Sequence, residues 1–111
     1  MDEKISEVQF LQQNLQSLLM QKQAFQMEID ETELALNELK LSGEEIYKIV
    51  GQLMIKSEKN KTVEELNSKK ELLEKQMENV EKQEKILNDR ISKLRDEITS
   101  NMGKEKKDSK K

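Results

Sequence analysis

The chain has no cysteine, histidine, proline or tryptophan, and one tyrosine and two phenylalanines are its whole aromatic complement. Each absence removes a kind of chemistry. Without Cys and His there is no disulfide, no thiolate nucleophile, no transition-metal ligand set and no side chain that ordinarily titrates near neutrality. Carboxylates are abundant, but solvated carboxylates on polar helix faces make poor general acids or bases. With three glycines in 111 residues there is also no Gly-rich loop to cradle a phosphate. Neither catalysis nor a cofactor is expected. No run reaches the roughly 18 apolar residues of a membrane span, and Met1-Asp2-Glu3-Lys4 lacks the layout of a signal peptide, so a cytoplasmic protein with no membrane partner is expected.

What is present is charge and aliphatic side chains. Charged residues make up 39% of the chain and hydrophobic ones 33%, with a net charge of -3. That composition cannot build a compact globular core. Leu, Ile, Val and Phe nevertheless account for about a quarter of the residues, above the level of disordered chains. Their spacing is decisive. Val8, Leu11, Leu15, Leu18, Lys22, Phe25, Ile29, Thr32, Leu36 and Leu39 follow one another in steps of three and four, which is the seam of a coiled coil. Val63, Leu66, Lys70, Leu73, Met77, Val80, Glu84, Leu87, Ile91, Leu94, Ile98 and Asn101 repeat the pattern.

The first arm is predicted over about residues 2–41 and the second over about 62–102, each a rod of roughly 60 Å at 1.5 Å per residue. Thr62 and Glu65 have the spacing of a capping box, which would fix the start of the second helix at Thr62. Equal arms with a short connector fold back antiparallel, bringing Val8 to the Leu94–Ile98 turn and Leu39 to Val63. Lys22 and Glu84 then fall within a turn of each other. Snorkelling to water is the alternative for these polar seam residues.

The connector, 42–61, breaks the pattern. Ile46, Tyr47, Ile49, Val50, Leu53, Met54 and Ile55 read as a single β-hairpin reversing at Gly51. Apolar residues point to both faces, and a lone two-stranded hairpin is marginal in water. Added strands from neighbouring subunits, closing into an inter-subunit barrel, would bury both faces and both edges. The alternative is a hydrophobic plug capping the coiled coil. The fold class expected is therefore mainly α, a long antiparallel two-helix coiled coil with one hairpin between its arms. The hairpin register is left open, because a slip of one residue exchanges the faces.

The order of a Gln-rich coiled-coil arm, Ile46-Tyr47-Lys48-Ile49-Val50-Gly51-Gln52-Leu53-Met54-Ile55-Lys56, a charged turn and a second arm opening Thr62-Val63-Glu64-Glu65-Leu66 resembles the archaeal prefoldin beta subunits. Gln21-Lys22-Gln23 and Gln83-Glu84-Lys85 add to the likeness. The resemblance implies a hexamer of two alpha-class and four beta-class subunits on a double β-barrel platform. It implies an ATP-independent holdase whose partners are an alpha subunit, other beta subunits, unfolded clients and a group II chaperonin. A connector with room for one hairpin places the chain in the beta class. The resemblance also locates client binding at the tips of the arms, where Ile5, Val8, Phe10 and Leu11 of the first arm and Leu94, Ile98 and Met102 of the second are the candidates. Phe10 lies off the seam; Ile5, Val8, Leu11 and Ile98 have the simpler role of packing together. Leu19, Met20, Met27 and Leu34 are further off-seam apolar residues, and methionine suits promiscuous contacts.

A tail over 103–111, predicted disordered, concentrates Lys104, Lys106, Lys107, Lys110 and Lys111 on an acidic chain. It serves solubility, or by resemblance docks on the chaperonin. No aromatic residue interleaves these lysines, so nucleic acid is not an expected partner. The reading from a different class is a structural coiled-coil tether or adaptor for one partner, which would have no use for the hairpin.

Overall fold

The computed structural model describes the backbone of residues 2–109 and the side chains of residues 3–101. Four elements follow one another: helix α1, Asp2–Leu41; strand β1, Glu45–Val50; strand β2, Leu53–Glu58; and helix α2, Lys59–Ser109. Helix α1 runs for 40 residues, as its lack of Gly and Pro allows, and ends just before Gly43. The Ser42 hydroxyl donates to the Leu39 carbonyl at 2.9 Å and the Lys59 ammonium donates to the Ser42 carbonyl at 2.8 Å. Those bonds satisfy carbonyls that a helix C-terminus otherwise leaves free.

The chain divides into two compact units, Met1–Lys22 with Asn79–Lys111, and Gln23–Glu78. In the first, Val8, Ile91 and Leu94 form a buried cluster joined by Leu11, Leu15 and Ile98. The pairs Lys4–Glu97, Glu7–Arg90 and Lys22–Glu84 rise along α1 while descending along α2, so the helices are antiparallel there. In the second unit Ile29, Leu73 and Met77 are buried together with Phe25 against them. Every seam residue indexed from the sequence is buried or half-buried. Period alone sufficed because the polar positions between the seam residues face water on both helices.

Four of the polar seam residues, Lys22, Thr32, Lys70 and Glu84, find partners. Thr32 is buried and donates its hydroxyl to the Glu28 carbonyl at 2.7 Å. Lys70 reaches Glu33 at 3.2 Å. Lys22 Nζ lies 3.6 Å from Glu84 Oε1, an oxygen sealed from solvent with no hydrogen-bond partner among the described residues. The Lys22 charge is what offsets that burial. Lys22→Leu alone is expected to destabilise the chain by about 2 kcal/mol, because it strands the carboxylate. Combining it with Glu84→Leu should recover at least the wild-type melting temperature by circular dichroism. A neutral Lys22→Leu would remove the pairing from the account.

Two boundaries differ from the sequence expectation. Helix α2 starts at Lys59, directly after β2, so Thr62 is already inside it. No capping box forms: the Thr62 hydroxyl donates back to the Glu58 carbonyl at 2.9 Å and lies 2.7 Å from Ser57 Oγ, while Glu65 pairs with Lys48 at 3.2 Å. At the other end α2 continues to Ser109, past Gly103, where composition predicts a disordered tail. Lys and Glu are good helix formers, and one glycine costs about 1 kcal/mol.

Candidate functional site

The hairpin register is Glu45↔Glu58, Ile46↔Ser57, Tyr47↔Lys56, Lys48↔Ile55, Ile49↔Met54 and Val50↔Leu53. Gly51 turns the chain with φ +63°, while Gln52 has no positive φ. This is the II′ arrangement, which asks for glycine at the first central position and matches the twist of the strands. Because directly paired residues share a face, Tyr47, Ile49 and Met54 lie on one side and Ile46, Val50, Leu53 and Ile55 on the other.

Their exposures separate the seven residues by position. Ile46 is buried at the base of the hairpin, where Leu39 and Leu66 line the same hollow. The other six are exposed, with Ile49 at 72% and Met54 at 69% forming an apolar cross-strand pair open to solvent. Glu45 faces Glu58 at the open end of the ladder, a like-charge pair that weakens it. The sheet has two strands, so both outer edges carry unpaired backbone groups. Three exposed apolar residues on each face, beside two free edges, are what strand-adding partners cover.

In the first unit, the candidates near the N-terminal end of α1 divide in the same way. Val8 and Leu94 are buried, Leu94 at 1% exposure, and Leu11 and Ile98 pack against them. Ile5 and Phe10 face outward, Phe10 with 61% of its surface exposed. Met102, Lys104, Lys106, Lys107, Lys110 and Lys111 lie outside the described side chains. Ile86, Leu72 and Leu41 lie off the seam and are exposed. Their signal was present in the sequence as apolar residues off the three-four pattern. Among the described residues no cluster of His, Cys, Asp or Glu could hold a metal, and no helix is long and apolar enough to cross a membrane.

A family model described as Prefoldin subunit matches residues 2–105. A prefoldin subunit beta of Pyrobaculum neutrophilum is 41% identical over 95 residues, covering 84% of this chain and 75% of the relative. One from Thermococcus onnurineus is 40% identical over 96 residues, covering 85% and 83%. The crystal structure of the prefoldin beta subunit from Thermococcus strain KS-1 superimposes with a TM-score of 0.84 at 36% identity, covering 90% of each chain.

Proposed function

The chain belongs to the prefoldin subunit family, and from this premise we propose that it acts as an ATP-independent holdase within a hexamer of two alpha-class and four beta-class subunits. The observation that carries the reading is the hairpin. Tyr47, Ile49, Val50, Leu53, Met54 and Ile55 are exposed in the single chain, next to unpaired strand edges. Left open, such a surface aggregates, whereas strands added by neighbouring subunits bury the faces and satisfy the edges. Ile46, buried within the subunit, positions the hairpin on its helices.

Unfolded clients are held at the ends of the arms. Phe10 and Ile5 supply exposed apolar surface there, and fraying of the Val8–Leu94 cluster adds more. Clients then pass to a group II chaperonin in the cytoplasm, with Lys104, Lys106, Lys107, Lys110 and Lys111 steering docking on an acidic partner. Deleting 103–111 should remove the salt dependence of chaperonin binding; unchanged dependence would leave the tail a solubilising role.

The activity is tested by diluting a chemically unfolded client into buffer without nucleotide. The chain assembled with an alpha-class subunit is expected to suppress light scattering at near-stoichiometric amounts. Full aggregation in its presence would refute the holdase reading.

A further inference from the structure

One edge of the first unit changes character along its length. The Arg90 guanidinium donates to Glu7 Oε1 from Nη2 at 3.1 Å and from Nε at 3.3 Å, closing the gap between the helices. Asn14 and Gln21 follow Glu7 at steps of seven on α1, and Gln83 precedes Arg90 by seven on α2. The same edge therefore continues with carboxamides where charges would ordinarily bridge a coiled coil. Here the helices leave an open groove of about 410 Å³, lined by Asn14, Ser17 and Gln21 on one side and Gln83 and Ile86 on the other. Leu18 and Leu87 also line it, and Ile86 is 67% exposed.

Charge is what singles this groove out. None of the fourteen residues from Val8 to Gln21 is charged, in a chain that is 39% charged. The exposed Phe10 precedes Asn14 by four and Ser17 by seven, so it stands in line with the α1 wall. An uncharged surface offers no attraction to nucleic acid or to a charged protein patch. It also imposes no desolvated charge on a neutral occupant.

We infer that this groove is a second contact site for unfolded polypeptide, taking extended segments of low charge. Each carboxamide carries both donors and an acceptor, so a rim of Asn14, Gln21 and Gln83 matches a peptide backbone whatever its sequence. Leu18, Ile86 and Leu87 accept an apolar side chain of the same segment through non-directional burial. The site rests on the holdase reading above and extends it from the end of the arms to their flank, continuous with Phe10.

The test is fluorescence anisotropy of a short fluorescein-labelled peptide of Gly, Ser, Asn and Leu, titrated with the full chain assembled with an alpha-class subunit. Gln83→Glu combined with Ile86→Ser changes two exposed residues and should leave helicity and assembly intact. It is expected to weaken the peptide by about tenfold. On the unaltered chain, a peptide with Glu and Lys in place of Asn and Ser should bind weaker by a similar factor. Equal binding by the double variant, with loss only in Phe10→Ser, would overturn the groove and leave the holdase reading standing. Equal binding of the charged peptide would overturn recognition by a neutral rim. No binding of the neutral peptide, together with no protection of an unfolded client, would remove both readings.

Discussion

Replacing Ile49 and Met54 together by threonine is expected to dissolve the assembly while leaving the helices of each subunit intact. The two residues face each other across the strands and are 72% and 69% exposed in the single chain, so neither contributes to the helical seam. Threonine keeps β-propensity, which preserves the hairpin itself. What is lost is burial between subunits, about 2 kcal/mol for each side chain at the interface. Two such losses weaken each contact by about three orders of magnitude in dissociation constant. At micromolar concentration the complex should separate into subunits by size-exclusion chromatography, with the helical circular dichroism signal retained. An intact complex would mean that the hairpin faces are not the interface.

Deleting residues 1–10 is expected to cut client protection severely and leave assembly unchanged. The deletion removes Ile5 and Phe10, which are exposed, and Val8, which packs on Ile91 and Leu94. It touches only the unit formed by Met1–Lys22 and Asn79–Lys111; the hairpin belongs to Gln23–Glu78. Loss of Val8 will also fray the adjoining turns of α2, so a milder variant separates the two effects. Phe10→Ser leaves the seam alone and should weaken client capture by about tenfold, the worth of one buried aromatic contact. Aggregation-suppression assays on both variants check this, and full protection by the truncated chain would remove the end of the arms as the client site.

Much of the architecture could be read from spacing alone. The seam from Val8 to Leu39 and from Val63 to Asn101 was legible because a coiled coil has one structural solution for a three-four repeat. The hairpin was legible as β-branched residues around Gly51, but its register was not. Apolar residues on both faces leave a one-residue slip without penalty inside a single chain. The II′ turn at Gly51 fixes it, and the pairing of Ile49 with Met54 follows. Ile46 carried no sign that it would be the buried member of its set, because its burial depends on where the hairpin meets the helices.

Thr62 shows how a local motif can be overridden. Its spacing to Glu65 fits a capping box, yet β2 runs to Glu58 and α2 begins at Lys59 without a loop. The Thr62 hydroxyl thus meets the Glu58 carbonyl one turn back, and Glu65 turns to Lys48 on the hairpin. A cap requires a non-helical residue at that position, and the strand had already delivered the chain into the helix. The pairing of Lys22 with Glu84 was foreseeable from antiparallel register, but the amide-lined edge along Asn14, Gln21 and Gln83 was not. Its meaning depends on Arg90 and Glu7 closing the same edge nearby.

The central claim is that the exposed hairpin is an assembly surface of a prefoldin subunit, and the mass of the particle it forms tests this most directly. Multi-angle light scattering on the chain mixed with an alpha-class subunit should give a single mixed species of six subunits. Elongated species of one or two chains, unchanged by the alpha-class subunit, would contradict it.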